Sequence, residues 1–106
     1  MSAILDGIQS YQEQITPLSN ASASSDGTHR VKLGGTYIWA IEGTFNGGSY
    51  QFQSANANGT FTDVVGATMS AAGFMEIDIA PGTLVKVVET GTTSAMYSTL
   101  TRVPLS

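Results

Sequence analysis

The chain has 106 residues and a net charge of −4, from four basic and eight acidic side chains, with one histidine and no cysteine. That length makes one domain, which buries only about 60–65% of its unfolded surface and so has a thin stability margin. A disulfide scaffold and a Cys-ligated metal are excluded, and Arg30, Lys32, Lys86 and Arg102 form no basic stripe of the kind nucleic acid requires.

At the N-terminus, Ile4, Ile8, Tyr11 and Ile15 recur at spacings of 4, 3 and 4, one stripe of a helix, with Leu5 beside it. Ser2 stands where a cap would, and Pro17 would end the helix. A helix of about three turns is marginal alone. As a helix the stripe therefore needs a surface, either its own sheet or a neighbouring subunit, the alternative being an extended tail, and Ile4, Leu5, Ile8, Tyr11 and Ile15 are the candidate partner-binding residues. Ser19 to Gly27, SNASASSDG, reads as a loop or flexible linker. Residues 1–27 are thus expected to be an arm and linker, and 28–106 a β-rich body.

The body is a succession of short strand patterns. Thr28 to Leu33 alternates His29, Val31 and Leu33 against Arg30 and Lys32. Thr36 to Glu42 sets Tyr37, Trp39 and Ile41 on one face and Ile38 and Ala40 on the other, which suits a central strand. Asn46-Gly47-Gly48 predicts a hairpin turn. Tyr50 and Phe52 then face inward, and Asn58-Gly59 turns the chain again. Phe61 and Val65 share the next inner face, Gly66 to Gly73 reads as a small-residue loop, and Met75, Ile77 and Ile79 face inward opposite Glu76 and Asp78. After Pro81-Gly82, Val85 and Val87 line another strand. Ala95 to Val103 closes the body with mixed facing. The predicted core is Tyr37, Trp39, Ile41, Tyr50, Phe52, Phe61, Met75, Ile77, Ile79, Val85 and Val87. Turn signals every 8–12 residues predict an all-β fold, a small antiparallel β-sandwich or jelly-roll-like barrel of seven to eight strands.

Little in this pattern carries catalysis. His29 with a serine and Asp26 or Asp63 lacks any nucleophile-elbow sequence. Glu76 and Asp78 lie two apart on one strand face, too sparse for a calcium site and without a deep cleft for glycoside hydrolysis. They suit a solvated face, with Arg30, Lys32 or Lys86 as cross-strand partners. Tyr37, Trp39, Tyr50 and Tyr97 would make a sugar-stacking platform if exposed, but Tyr37 and Trp39 share the face of Ile41 and fit a core. No phosphate loop is present. No run approaches the ~20 apolar residues of a membrane span, and Met1 to Gln14 lacks the basic and apolar regions of a signal peptide. No catalytic residue, metal or cofactor is expected.

The segments GGTYIWAIEGTFNGGSYQFQ, NANGTFTDV and AAGFMEIDIAPGTLVKVV, followed by a closing strand, resemble small virion structural proteins of tailed bacteriophages. Among these the likeness is to capsid decoration (cement) proteins, and it covers Gly35 to Val103. The resemblance implies a non-enzymatic homotrimer, made in the host cytoplasm and carried on the capsid surface. There it would tie neighbouring major capsid protein subunits together, with no nucleic acid or membrane as partner. The alternative is a tail or fibre-associated module that binds host surface glycan. A charged fraction of 11%, against about 25% in ordinary domains, suits a surface covered by neighbours, or one that resists aggregation by turns and edges rather than by charge.

Overall fold

The computed structural model describes residues 13–25, 27, 29–55 and 58–103. They form β1 (Gln14–Ala21), β2 (His29–Arg30), β3 (Gly35–Thr44), β4 (Ser49–Ala55), β5 (Phe61–Met69), β6 (Gly73–Ile79), β7 (Leu84–Thr90) and β8 (Ser94–Arg102). One sheet has the order β1-β8-β3-β6 and the other β2-β7-β4-β5. Every pair is antiparallel. Two such four-stranded sheets, with the chain crossing between them at nearly every connection, make a jelly-roll β-sandwich.

Period-2 alternation builds the interior. Tyr37, Trp39 and Ile41 of β3 meet Tyr50 and Phe52 of β4, Ile77 and Ile79 of β6, and Val85 and Val87 of β7 in one buried cluster. The Trp39 and Phe52 rings cross between the sheets with centroids 5.4 Å apart, tilted by 55°, a favourable oblique aromatic contact. β3 lies between β8 and β6, the central place its two apolar faces predict. Met75 packs half-buried against the cluster. Phe61, expected inside, is half-buried at the margin, where its ring lies under the Lys86 ammonium at 4.4 Å. Ile15, Leu18, Val31, Ala67, Met69, Met96 and Leu100 complete the core.

Four expectations are corrected. Ile15 does not end a helix. It is a buried residue of β1, which pairs with β8 along the sheet edge. Pro17 is accommodated because β1 is an edge strand whose register shifts between Ile15 and Leu18, so no ladder N–H is missed. The sandwich therefore includes Gln14–Ala21, well before residue 28. Ile4, Leu5, Ile8 and Tyr11 lie outside the described residues.

The expected linker is stapled down as well. The Ser25 hydroxyl accepts from Val87 N–H at 2.9 Å, and Ser25 N–H donates to the Val87 carbonyl at 3.0 Å. Ser24 Oγ accepts from Glu89 N–H at 2.8 Å. Short hydroxyl side chains thus satisfy the edge of β7 beyond the two-residue β2.

The turn at Asn46-Gly47 has positive φ at both residues, 51° and 79°, as a tight hairpin turn would. Yet it joins strands of opposite sheets, β3 and β4, and among the described residues only β4 and β5 are sequential partners. Finally, β5 runs through the expected loop to Met69. Three extra residues on β5 break its pairing between Gln51 and Gln53 of β4. Gly66 takes a left-handed φ of 79° there and Val65 is thrown outward.

Candidate docking groove on the outer sheet face

The parity that buries Tyr37, Trp39 and Ile41 turns Ile38, Ala40 and Glu42 to the other face of β3. Ala40 stands opposite Phe74 on β6 and opposite Thr99 on β8, while Glu42 stands opposite Tyr97. A methyl side chain between larger neighbours leaves a trough. The result is an open groove of about 350 Å³ lined by Ala40, Glu42, Gly73, Phe74, Tyr97 and Thr99. Phe74 is 72% exposed and Tyr97 45%. Strand spacing puts these two residues roughly 12 Å apart diagonally across the sheet.

The floor of the groove is pinned from below. Trp39 Nε1–H donates to Ser98 Oγ at 2.9 Å, and the Ser98 hydroxyl donates to the Ala40 carbonyl at 2.9 Å. These groups are withdrawn from water and need partners; by supplying them to one another they lock β8 to β3 under the groove. The structure therefore divides the sugar-platform candidates. Tyr37, Trp39 and Tyr50 are fully buried, and Tyr97 alone faces outward, joined by Phe74. Parity with Met75, Ile77 and Ile79 already turned Phe74 outward in the sequence. Its meeting with Ala40 and Tyr97 required the register of three strands.

At the far end of the same sheet stands Glu13, the first described residue. It is fixed there. Its carboxylate accepts from Lys32 N–H at 2.9 and 3.0 Å, from Leu33 N–H at 2.9 Å and from the Tyr37 hydroxyl at 2.7 Å. The Glu13 carbonyl accepts from Arg102 N–H at 2.8 Å, and Arg102 Nε donates to the Gly34 carbonyl at 2.7 Å. Burial opposes ionisation of Glu13. The N–H groups of Leu33 and Lys32, the Tyr37 hydroxyl and the Lys32 charge outweigh it and hold the carboxyl below its ordinary range. Burial, with the Glu13 hydrogen bond and charge, pushes the Tyr37 hydroxyl far above its ordinary value, against the pull of Arg102. A second polar relay runs through the other sheet. The Tyr50 hydroxyl meets Thr93 Oγ1 at 2.9 Å and the Ala23 carbonyl at 3.1 Å, and Thr93 bonds Glu89.

The remaining candidates stay apart. His29 on β2 and Asp63 on β5 occupy opposite edges of one sheet, three strand spacings or roughly 14 Å from each other. Asp26 lies outside the described residues. Glu76 and Asp78 face outward on β6 opposite Ile38 and Thr36, and Thr36 Oγ1 donates to Asp78 at 2.7 Å. Arg30 and Lys86 are on the other sheet and are not their cross-strand neighbours. Among the described residues no three His, Asp or Glu side chains gather as a metal site would need. Val65, 98% exposed at the β5 bulge, is a second apolar projection, on the sheet opposite the groove. The sequence matches no protein-family model and none of the curated proteins.

Proposed function

We propose that this chain is a non-enzymatic capsid decoration (cement) protein of the tailed-phage kind. It binds the outside of a head shell as a homotrimer and ties neighbouring major capsid protein subunits together. The observation that carries this reading is the outer face around Ala40. A rigid sandwich presents Phe74 and Tyr97 to solvent while Tyr37, Trp39, Tyr50 and Phe52 are spent in the core. Apolar side chains grouped outside the core mark surfaces that meet another macromolecule. Weak single contacts suffice when many copies bind one repetitive shell.

A second reading is kept because one observation favours it. Two exposed rings flanking a trough that holds the Glu42 carboxylate and Thr99 hydroxyl would also suit a host surface glycan on a tail or fibre module. Ring faces would stack on sugar and the polar groups would orient it.

The test is sedimentation of the protein with undecorated capsids, using the full chain and a form lacking residues 2–12. The full chain should saturate the shells and raise their resistance to heat. The truncated form should stay folded and lose attachment. A truncated form that still saturates the shells removes the N-terminal segment from the proposal. A full chain that ignores shells but is retained on host glycan replaces it with the second reading.

A further inference from the structure

We infer that the Phe74–Ala40–Tyr97 groove is the seat of the N-terminal segment, residues 1–12, of a second copy of this chain. The contact would be copy to copy, and it goes beyond attachment to a shell.

The direction of the chain at Glu13 carries the argument. β1 and β3 are both antiparallel to β8, so they run in the same sense. Glu13 lies at the level of Tyr37, because Arg102 donates to the Glu13 carbonyl and is the ladder partner of Tyr37. The groove lies at the level of Ala40 to Glu42, three to five residues further along β3, or roughly 10–17 Å. Followed backwards from Gln14 the chain therefore heads away from its own groove. The bonds from Lys32, Leu33 and Tyr37 to the Glu13 carboxylate, and from Arg102 to its carbonyl, fix that heading at the exit. A return to its own groove would need the segment to double back along the sheet over roughly 10–17 Å, whereas a neighbour's groove can lie straight ahead.

Length and chemistry agree. Twelve residues precede Glu13 and carry Ile4, Leu5, Ile8 and Tyr11 but no basic residue. Extended, they reach at most roughly 40 Å, enough to pass from one small domain to the next. The groove offers what this sequence needs. Its floor is a methyl group, its walls are two rings, and Thr99 and Glu42 at its margin can meet the Tyr11 hydroxyl. Because groove and segment are different surfaces, each copy can give its segment to one neighbour and receive another's, a head-to-tail contact that closes into a ring where the rotation between copies allows it.

The inference shares with the decoration reading the outer face at Phe74 and Tyr97 and the role of the N-terminal segment. It is tested in free solution without capsids, so failure to bind shells and failure to assemble are separate results. Two variants are made: one lacking residues 2–12, with its groove intact, and Phe74→Ser/Tyr97→Ser, with its segment intact. Light scattering over a concentration series reads the mass, and near-ultraviolet circular dichroism of buried Trp39 reports that each variant is folded. The unaltered protein should assemble. Each variant should require at least about tenfold higher concentration to do so. Mixed together, the two should form a 1:1 complex, because one supplies the groove and the other the segment.

An unaltered protein that stays monomeric overturns the inference. So does assembly that survives loss of residues 2–12, which would show that another surface of the second copy covers the groove. A mixture of folded variants that remains monomeric also overturns it.

Discussion

The two faces of β3 differ by one residue of register and by almost everything else. The inner face, Tyr37, Trp39 and Ile41, is closed by the opposing sheet and tied by hydrogen bonds from Trp39 and Tyr37. The outer face, Ile38, Ala40 and Glu42, lies open between Phe74 and Tyr97. The contrast teaches that one strand can hold the fold together and floor an open groove at once. The inner residues set the position of the outer ones, since the Trp39–Ser98–Ala40 relay joins the two faces.

Substitutions should separate these roles. Trp39→Ala removes the largest buried side chain and should cost about 3–5 kcal/mol, most of the stability of a domain this small. Urea unfolding followed by far-ultraviolet circular dichroism would measure it. A loss under about 1 kcal/mol would mean that the two sheets are not held by this contact.

Glu13→Gln comes next. It keeps the shape of the anchor but removes the charge that Lys32 and Leu33 N–H groups bind, and should cost about 1 kcal/mol at neutral pH. The folded carboxyl titrates below its ordinary value. Its contribution is therefore complete above the ordinary carboxylate pKa and is lost as pH falls through the lower folded value. Unfolding curves at pH 7 and pH 3 should show the unaltered chain losing this increment and the Gln variant lacking it at both. Equal pH dependence in the two proteins would place the anchor elsewhere.

The smallest effect on stability belongs to Phe74→Ser. On an exposed outer position it should shift unfolding by no more than about 0.5 kcal/mol. A loss several times larger would show that Phe74 belongs to the fold, and would blur the division between the faces.

The strands that sequence made visible are those whose pairing is regular. Tyr37/Trp39/Ile41 and Met75/Ile77/Ile79 alternate without interruption, and β3 and β6 pair residue for residue from Gly35 opposite Ile79 to Ile41 opposite Gly73. Bulges hid the others. Ile15 and Leu18 both face the core from β1, three residues apart, because the ladder slips at Thr16–Pro17, so the period-2 signal of a strand is missing there. On β5 the extra residues put Ala67 and Met69 inside and Val65 out, which no strict period would give. Ser24 and Ser25 looked like linker because their role is to cap another strand's N–H groups, which composition does not record. The groove was half legible. Tyr97 and the outward parity of Phe74 are in the sequence, but β6, β3 and β8 become neighbours only in the folded sheet.

The pairing of β1 with β8 has a consequence in time. The first described strand to leave the ribosome can form its ladder only when the last has been made. Nearly every other pairing also joins strands distant in sequence, with β4 and β5 the exception. Such topologies fold slowly, on the scale of milliseconds to seconds. Until β8 arrives, neither edge of β1 is paired and Tyr97 has no place beside Ala40. An unfinished chain therefore presents neither the anchored Glu13 nor the groove, and only a completed molecule carries both.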